Sequence, residues 1–387
     1  MVRPIVERDD RMTRVRLMMM VALVVPLPIL ATVLLLAVGC GPAAEDPPAD
    51  VSELMLGSPR VVVGEDEAML AVPVDMAIDD EGTVYVLDRQ DARVVVAAPD
   101  GATTTFGQRG QGPGEFGDPY FLGVTTDGLR VYDRTRQSVQ VLGLDGTPDH
   151  AYTVEQAGLF FVTGASFSRD GTMAYAGTQL GDDRGLALLV GPEGGEPTIV
   201  GELISDAEVV ARFTTEYVHQ GRIPEFMHNH VLPMLAPSGE LWLFLQTDSG
   251  LRRYSPEGSL LRSADFDVPE SGAIRAEYFA WYEDWGDGVL RYLEYVVDGF
   301  ATEDRVWLLW NTPPGDEGLI TVHDDTGEIL RRLRYTLPAG PPPEVDPDVP
   351  YVSRRYMAID FARRIAYLAD TDTSSLYALD VPAEILR

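Results

Sequence analysis

The 387-residue chain carries 61 Asp and Glu residues against 30 Arg and no Lys, a formal net charge of −31. Such an acidic surface repels phosphate backbones, so we expect no nucleic-acid partner. The absence of Lys excludes a Schiff-base lysine and the lysine of a phosphate-binding loop. With 45% hydrophobic residues and one Cys, the chain must fold around an apolar core without an internal disulfide.

The first 40 residues predict export. An uncharged apolar run at 17–38 follows Arg14 and Arg16, and Gly39 and Cys40 end it. This order is typical of a signal peptide, and a Cys directly after a small residue resembles the lipobox of bacterial lipoproteins. We therefore predict a signal peptide over residues 1–39, lipidation at Cys40 and a flexible lipidated linker over residues 40–53. The alternative is an uncleaved membrane anchor, because the run is long enough to span a bilayer.

Both alternatives place the rest of the chain outside the cytoplasmic membrane. We expect an exported protein of the cell envelope, a periplasmic or outer-surface lipoprotein. Its acidic charge repels anionic lipid surfaces, so the membrane is a partner only through the lipid anchor at Cys40 or the apolar run.

From residue 74 the chain repeats one pattern of roughly 40 residues, a length typical of propeller blades. In the first copy, strands at 74–78 and 84–88 flank Glu81-Gly82, and a third strand at 94–97 precedes Asp100-Gly101. The same order recurs from residues 122, 165, 233, 295 and 356. Glycine in these turns supplies the positive φ of a tight hairpin. Six small antiparallel meanders stacked around an axis predict an all-β, six-bladed β-propeller over residues 54–387.

Two further segments complete this prediction. Copy six lacks a fourth strand, and an unassigned apolar strand at 59–63 precedes copy one. We expect this N-terminal strand to complete the sixth blade, which would remove two exposed sheet edges. Residues 273–281 and 289–296 have helical spacing, which predicts a short helical insertion between blades 4 and 5.

The second copy carries a family resemblance. Phe106-Gly107, Gly110, the run from Gly112 to Phe116 and Pro119 precede Asp127-Gly128 and Val131-Tyr132-Asp133. This segment resembles an NHL repeat, and the six copies together resemble the NHL/TolB-like six-bladed propellers. The resemblance implies a module that binds a protein, peptide or carbohydrate, with no cofactor expected. A minority of such propellers are metal-dependent hydrolases or lyases of the lactonase or amidating-lyase type, and this alternative stays open.

Three of the five histidines lie close together in the chain. His219, His228 and His230 share one link between blades with Tyr217. The His-x-His spacing puts two rings on one side of an extended segment, where they could share a divalent metal. The alternative is a polar loop without a metal.

Aromatic residues crowd the predicted helical insertion, among them Tyr278, Trp281, Tyr282 and Trp285. They would either cap the blade ends or form a platform for a sugar or peptide. The long links at 204–230 and 262–292 fall on the propeller face opposite the tight hairpins, and long loops on a rigid scaffold commonly carry sites. We therefore predict ligand contacts on the long-link face, with six first candidates: Tyr217, His219, His228, His230, Trp281 and Trp285.

A third set of polar residues ends the second strands of three blades. Asp88, Asp133 and Asp370 could form a ring of carboxylates that binds a cation. We favour hydrogen bonding at the blade edges, because repetition of the blade alone explains repetition of the Asp.

Overall fold

The computed structural model describes residues 51–64, 70–155, 159–179, 184–207, 217–266, 268–285, 291–313, 317–339 and 354–386. The predicted signal peptide and Cys40 lie outside these ranges. Within them, no helix has the length and apolar character needed to cross a membrane.

The described chain forms six β-sheets, and two strands precede the first complete blade: β1 (Glu53–Met55) and β2 (Arg60–Val63). Blade 1 contains β3 (Pro73–Ile78), β4 (Val84–Asp88), β5 (Arg93–Ala97) and β6 (Thr103–Phe106). Blade 2 contains β7 (Pro119–Thr125), β8 (Gly128–Asp133), β9 (Ser138–Leu142) and β10 (Pro148–Thr153). Blade 3 contains β11 (Leu159–Phe167), β12 (Met173–Gln179), β13 (Ala187–Val190) and β14 (Thr198–Val200).

Blade 4 contains β15 (Val231–Leu235), β16 (Leu241–Leu245), β17 (Gly250–Tyr254) and β18 (Leu260–Asp265). Blade 5 contains β19 (Val296–Ala301), β20 (Arg305–Trp310), β21 (Gly318–Asp324) and β22 (Ile329–Tyr335). Blade 6 contains β23 (Arg355–Asp360), β24 (Ile365–Asp370) and β25 (Ser375–Asp380). The first strand of each blade contacts the first strands of its two neighbours, and β23 contacts β3, so the ring is closed. The prediction of a six-bladed propeller is confirmed.

Blade 6 is completed from the N-terminal side, as predicted. Strand β2 pairs antiparallel with β25, with Val61 opposite Tyr377 and Val63 opposite Leu376. The side chain of Val63 is fully buried, whereas Val61 on the same strand is 62% exposed. A register shift lies between Val61 and Val63 and breaks the usual alternation of faces, so the end of β2 joins the core while its first residues stay exposed.

Strand β1 is an element that the sequence pattern did not indicate. It pairs parallel with β22 at the outer edge of blade 5, with Glu53 opposite Arg332 and Met55 opposite Arg334. Residues 53–63 therefore add strands to two neighbouring blades in succession. Between them, the N–H of Gly57 donates to the carbonyl oxygen of Asp380 in blade 6 at 2.9 Å.

The blades owe their stability to second strands that are buried on both faces. Every residue of β4, β8 and β16 is buried. The turns between first and second strands are tight, and Gly82 and Gly239 adopt φ angles of 83° and 85° in them. Only glycine reaches this conformation without strain, which explains why glycine recurs in these turns.

A helix, α1 (Ser271–Trp285), connects blades 4 and 5, as predicted. Ile274, Tyr278 and Tyr282 recur every four residues, lie on one helix face and are buried in the core cluster of blades 4 and 5. The second predicted helical segment is wrong: residues 291–294 have no regular structure and Val296 begins β19. Val296 instead pairs with Trp310 and bonds through its backbone to Gln246, which stabilises the extended conformation.

The described structure also contains two short 3-10 helices, Glu225–Asn229 before blade 4 and Ala383–Leu386 after β25, and residues 217–219 are helical.

Candidate functional site

A cavity of about 530 Å³ lies on the propeller axis and is lined by residues of the first strands of all six blades. Its lining extends from the middle of each first strand, for example Asp75 and Met234, to the turn that follows, for example Asp80 and Pro237. The cavity therefore lies toward the face that carries the tight hairpins. We call it the axial cavity.

The axial cavity combines apolar walls with a set of charges that is mostly negative. The apolar part includes Phe167, Met234, Phe300, Met357 and Ile359. The charged residues of the lining are one arginine and five aspartates: Arg169, Asp75, Asp79, Asp80, Asp298 and Asp360.

Polar side chains in the cavity wall join the blades in pairs. A first strand has a free edge facing the axis, so its N–H groups need acceptors from elsewhere. Asp75 of blade 1 accepts from the N–H of Leu122 in blade 2 at 2.7 Å. Ser166 of blade 3 accepts from Leu235 in blade 4 at 3.0 Å, and Asp298 of blade 5 accepts from Met357 in blade 6 at 2.6 Å. Odd-numbered blades thus supply the acceptor and even-numbered blades the donor.

The pKa values of the two aspartates of this set, Asp75 and Asp298, are raised. Burial, and then the neighbouring carboxylate of Asp298, raises the pKa of Asp75 well above its ordinary value. Burial raises the pKa of Asp298 to about 7, although the N–H groups of Met357 and Gly299 donate to it. Both side chains line the axial cavity, and two like charges that interact disfavour each other's ionisation. At neutral pH the pair is therefore not fully ionised.

An ion pair crosses the rim of the axial cavity. The guanidinium of Arg169, after β11, binds both carboxylate oxygens of Asp80, after β3, with one contact at 2.6 Å. Hydrogen bonding from Arg169 lowers the pKa of Asp80. The backbone carbonyl of Arg169 also accepts from the N–H and hydroxyl of Thr126 in blade 2. The turns of three neighbouring blades are therefore joined at the rim.

The opposite end of the first strands carries a different cluster. Arg354, before β23, forms an ion pair with Glu294, before β19, at 2.7 Å. The other oxygen of Glu294 lies 3.9 Å from Nε2 of His230, before β15. These residues belong to the long-link face and do not line the axial cavity.

Beside this cluster lies a smaller cavity of about 30 Å³ between blades 3 and 4, lined among others by Thr163, Arg184, Asn229, His230 and Tyr292. We call it the inter-blade cavity. The ring of His230 packs against Tyr292 with centroids 4.5 Å apart, and burial lowers the pKa of His230.

The structure does not bring the three predicted histidines together. His230 is buried, His219 is exposed, and Nδ1 of His228 donates to Asp248 at 2.9 Å, which raises the pKa of His228. Within the described ranges, no group of three or more His, Cys, Asp or Glu residues could hold a metal ion. Tyr217 is half-buried, with the guanidinium of Arg222 over its ring at 4.9 Å.

The aromatic residues of α1 mostly face the protein. Tyr278 and Tyr282 are buried, and Trp281 packs against the same core cluster with the guanidinium of Arg291 5.2 Å from its ring centroid. The side chain of Trp285 lies outside the described part. The arrangement of the three described rings is that of a cap on the blade ends.

The repeated aspartates at the ends of second strands bind backbone N–H groups, as we favoured. Asp88 accepts from Ala71 and Val72, and Asp133 accepts from Gly117 and Asp118. Each carboxylate thereby fixes the segment that leads into a first strand, which is a structural role.

Comparison with known proteins finds solved structures of low similarity. No protein-family profile and no curated protein matches the chain. Virginiamycin B lyase from Staphylococcus aureus, solved with quinupristin, is 13% identical with a TM-score of 0.48, over 84% of this chain and 99% of that chain. A gluconolactonase from Xanthomonas campestris is 14% identical with a TM-score of 0.48, over 84% and 90%. The calcium-binding protein regucalcin from Agrobacterium tumefaciens is 9% identical with a TM-score of 0.46, over 85% and 95%.

Proposed function

We propose that this chain is an exported, lipid-anchored propeller that binds a small molecule in the axial cavity. The observation that carries the proposal is the cavity itself, about 530 Å³ and lined by all six blades. Ligand pockets typically measure about 300–1,000 Å³ and combine apolar walls with a few polar groups. The axial cavity has both features.

The charges of the site favour a neutral or positively charged ligand. Five aspartates and one arginine line the cavity, and the chain as a whole has a formal net charge of −31. A field of this sign attracts cations and repels anions over distances of about a Debye length. An amine would gain most, because Asp75 and Asp298 could ionise next to it.

The proposal places the ligand on the tight-hairpin face, whereas the six candidate residues from the sequence belong to the long-link face. A metal-dependent hydrolase or lyase has no observation in its favour, since the described residues offer no metal-ligand group.

Ligand-observed NMR against a library of small amines, alcohols and carboxylic acids tests the proposal. Val124 lines the cavity, so Val124→Trp should narrow it and weaken binding, while Val61→Trp at an exposed position of β2 serves as the matched control. We expect amines to be enriched among the ligands of the wild type and of Val61→Trp. Ligands that bind Val124→Trp equally well, or a library without any ligand, would refute the axial site.

A further inference from the structure

The inter-blade cavity has two polar atoms that the protein leaves without partners. Nε of Arg184 and Nδ1 of His230 are both buried, and neither has a hydrogen-bond partner in the described structure. Both residues line this cavity, and His230 is only 6% exposed. Buried polar groups are partnered in the large majority of cases, so two orphans at one cavity indicate a missing ligand.

The other polar groups of the cavity are already engaged. Oδ1 of Asn229 accepts from the N–H groups of Ile204 and Ser205, and its Nδ2 donates to the carbonyl oxygen of Ser205. These bonds hold the segment that contributes Leu203 to the cavity lining. The hydroxyl of Thr163 donates to the carbonyl oxygen of Ala176 at 3.4 Å.

The charges of the side chains around the inter-blade cavity indicate the charge of the ligand. Arg184 is permanently charged and half-buried, and its Nε lacks a partner among the described residues. Glu294, whose other oxygen lies 3.9 Å from Nε2 of His230, is already engaged by Arg354 at 2.7 Å. A buried guanidinium N–H without an acceptor is costly, and an anion in the cavity would remove that cost.

We propose that the inter-blade cavity binds a halide-sized anion, such as chloride, between Arg184 and His230. Nε–H of Arg184 donates one charge-assisted hydrogen bond, and Nδ1 of His230 donates a second once the anion favours its protonation. The volume of about 30 Å³ holds roughly two water-sized spheres, which excludes phosphate, sulfate and larger carboxylates. This site is separate from the axial cavity and does not depend on the ligand bound there.

Anomalous diffraction from crystals of the protein grown in sodium bromide tests the site directly. We expect a bromide peak in the cavity, within hydrogen-bond distance of Arg184 Nε. A cavity that holds only water, or a peak that persists in Arg184→Gln, would overturn the proposal.

Thermal unfolding provides a second test that needs no crystals. The Tm of the wild type should rise with chloride concentration relative to sodium gluconate at equal ionic strength, because a ligand of the folded state stabilises it by mass action. Arg184→Gln should lose this difference. Arg262→Gln, which removes an exposed arginine from β18, should keep it. Equal Tm values of the wild type in the two salts would contradict anion binding, whether or not the variants fold.

Discussion

Asp75 and Asp298 make the same pair of contacts in blades 1 and 5. Each accepts one N–H from the residue that follows it and one from the first strand of the next blade. The carboxylates therefore connect blades and also line the axial cavity. A group with both roles couples the stability of the ring to the charge state of the site.

This coupling predicts a pH dependence of stability. Burial raises the pKa of Asp298 to about 7 from an ordinary value of 3.8. The unfolded chain thus ionises more readily, so the contribution of this group is fully present below about pH 4 and is lost as the pH rises through about 7. Asp298→Asn should flatten the decrease in the free energy of unfolding between pH 5 and 8, measured by urea titration.

The control for this experiment is Asp265→Asn, which changes an exposed carboxylate of β18. Asn at position 298 also loses an acceptor, a cost that is independent of pH. The slopes should therefore be compared rather than the absolute stabilities. Parallel curves for the wild type and Asp298→Asn would show that the carboxylate keeps its ordinary titration.

Ring closure by β2 predicts opposite outcomes for two neighbouring valines. Val63→Asp buries a charge where the side chain is fully buried, and should cost more than about 3 kcal/mol in the free energy of unfolding. Val61→Asp, at a position that is 62% exposed, should change it by less than about 0.5 kcal/mol. Similar losses for both variants, measured by urea unfolding, would be incompatible with the observed register.

Glu270 and Glu53 bind the same two arginines, which makes them a matched pair. Both contact Arg332 and Arg334, but the side chain of Glu270 is 14% exposed and that of Glu53 is 50% exposed. Glu270→Gln should cost about 2 kcal/mol or more, because it leaves two partly buried guanidinium groups less well paired. Glu53→Gln should cost less than about 1 kcal/mol.

The contribution of Glu270 to stability should also depend on pH. Burial alone would raise the pKa of Glu270, but hydrogen bonds from Arg332 and Arg334 outweigh it and lower the pKa. A lowered pKa stabilises the fold above the unfolded value of about 4.5, and this contribution is lost as the pH falls. The stability difference between wild type and Glu270→Gln should therefore shrink below pH 4. A difference that stays constant would point to packing instead of charge.

Attachment through Cys40 is tested by Cys40→Ser. We expect the wild type to partition into the detergent phase of Triton X-114 extracts with an acylated Cys40 at its N-terminus. The variant should accumulate as an uncut precursor, visible by intact mass. A wild-type protein that keeps its Met-initiated N-terminus in membranes would support the uncleaved anchor.

The fold was predictable because its signals are local and repeated. Acidic-Gly turns such as Glu81-Gly82 and Asp127-Gly128 mark many of the hairpins, and the unpaired strand at 59–63 indicates how the ring closes. Strand β1 escaped prediction because Glu53–Met55 has only three residues, and its parallel partner lies about 280 positions away in the chain.

The axial cavity could not be predicted in the same way. Its charged residues come from the first strands and turns of different blades, and Asp75 and Asp298 are two among 61 acidic residues. Only the closed ring places them together. For the histidines, closeness in sequence was misleading. His219, His228 and His230 lie within twelve residues of each other, but the structure gives each a different environment. The chain changes between helix and strand in this segment, and such changes of direction separate residues that are near in sequence.

The pairing of β1 with blade 5 also determines which contacts a pull on the N-terminal side of the propeller would break first. Strand β1 has three residues and pairs with β22 at the outer edge of blade 5, whereas β2 pairs with β25 and ends in the fully buried Val63. Tension applied before Glu53 would therefore load the short β1 pairing first, and β2 would keep blade 6 complete until β1 had been removed.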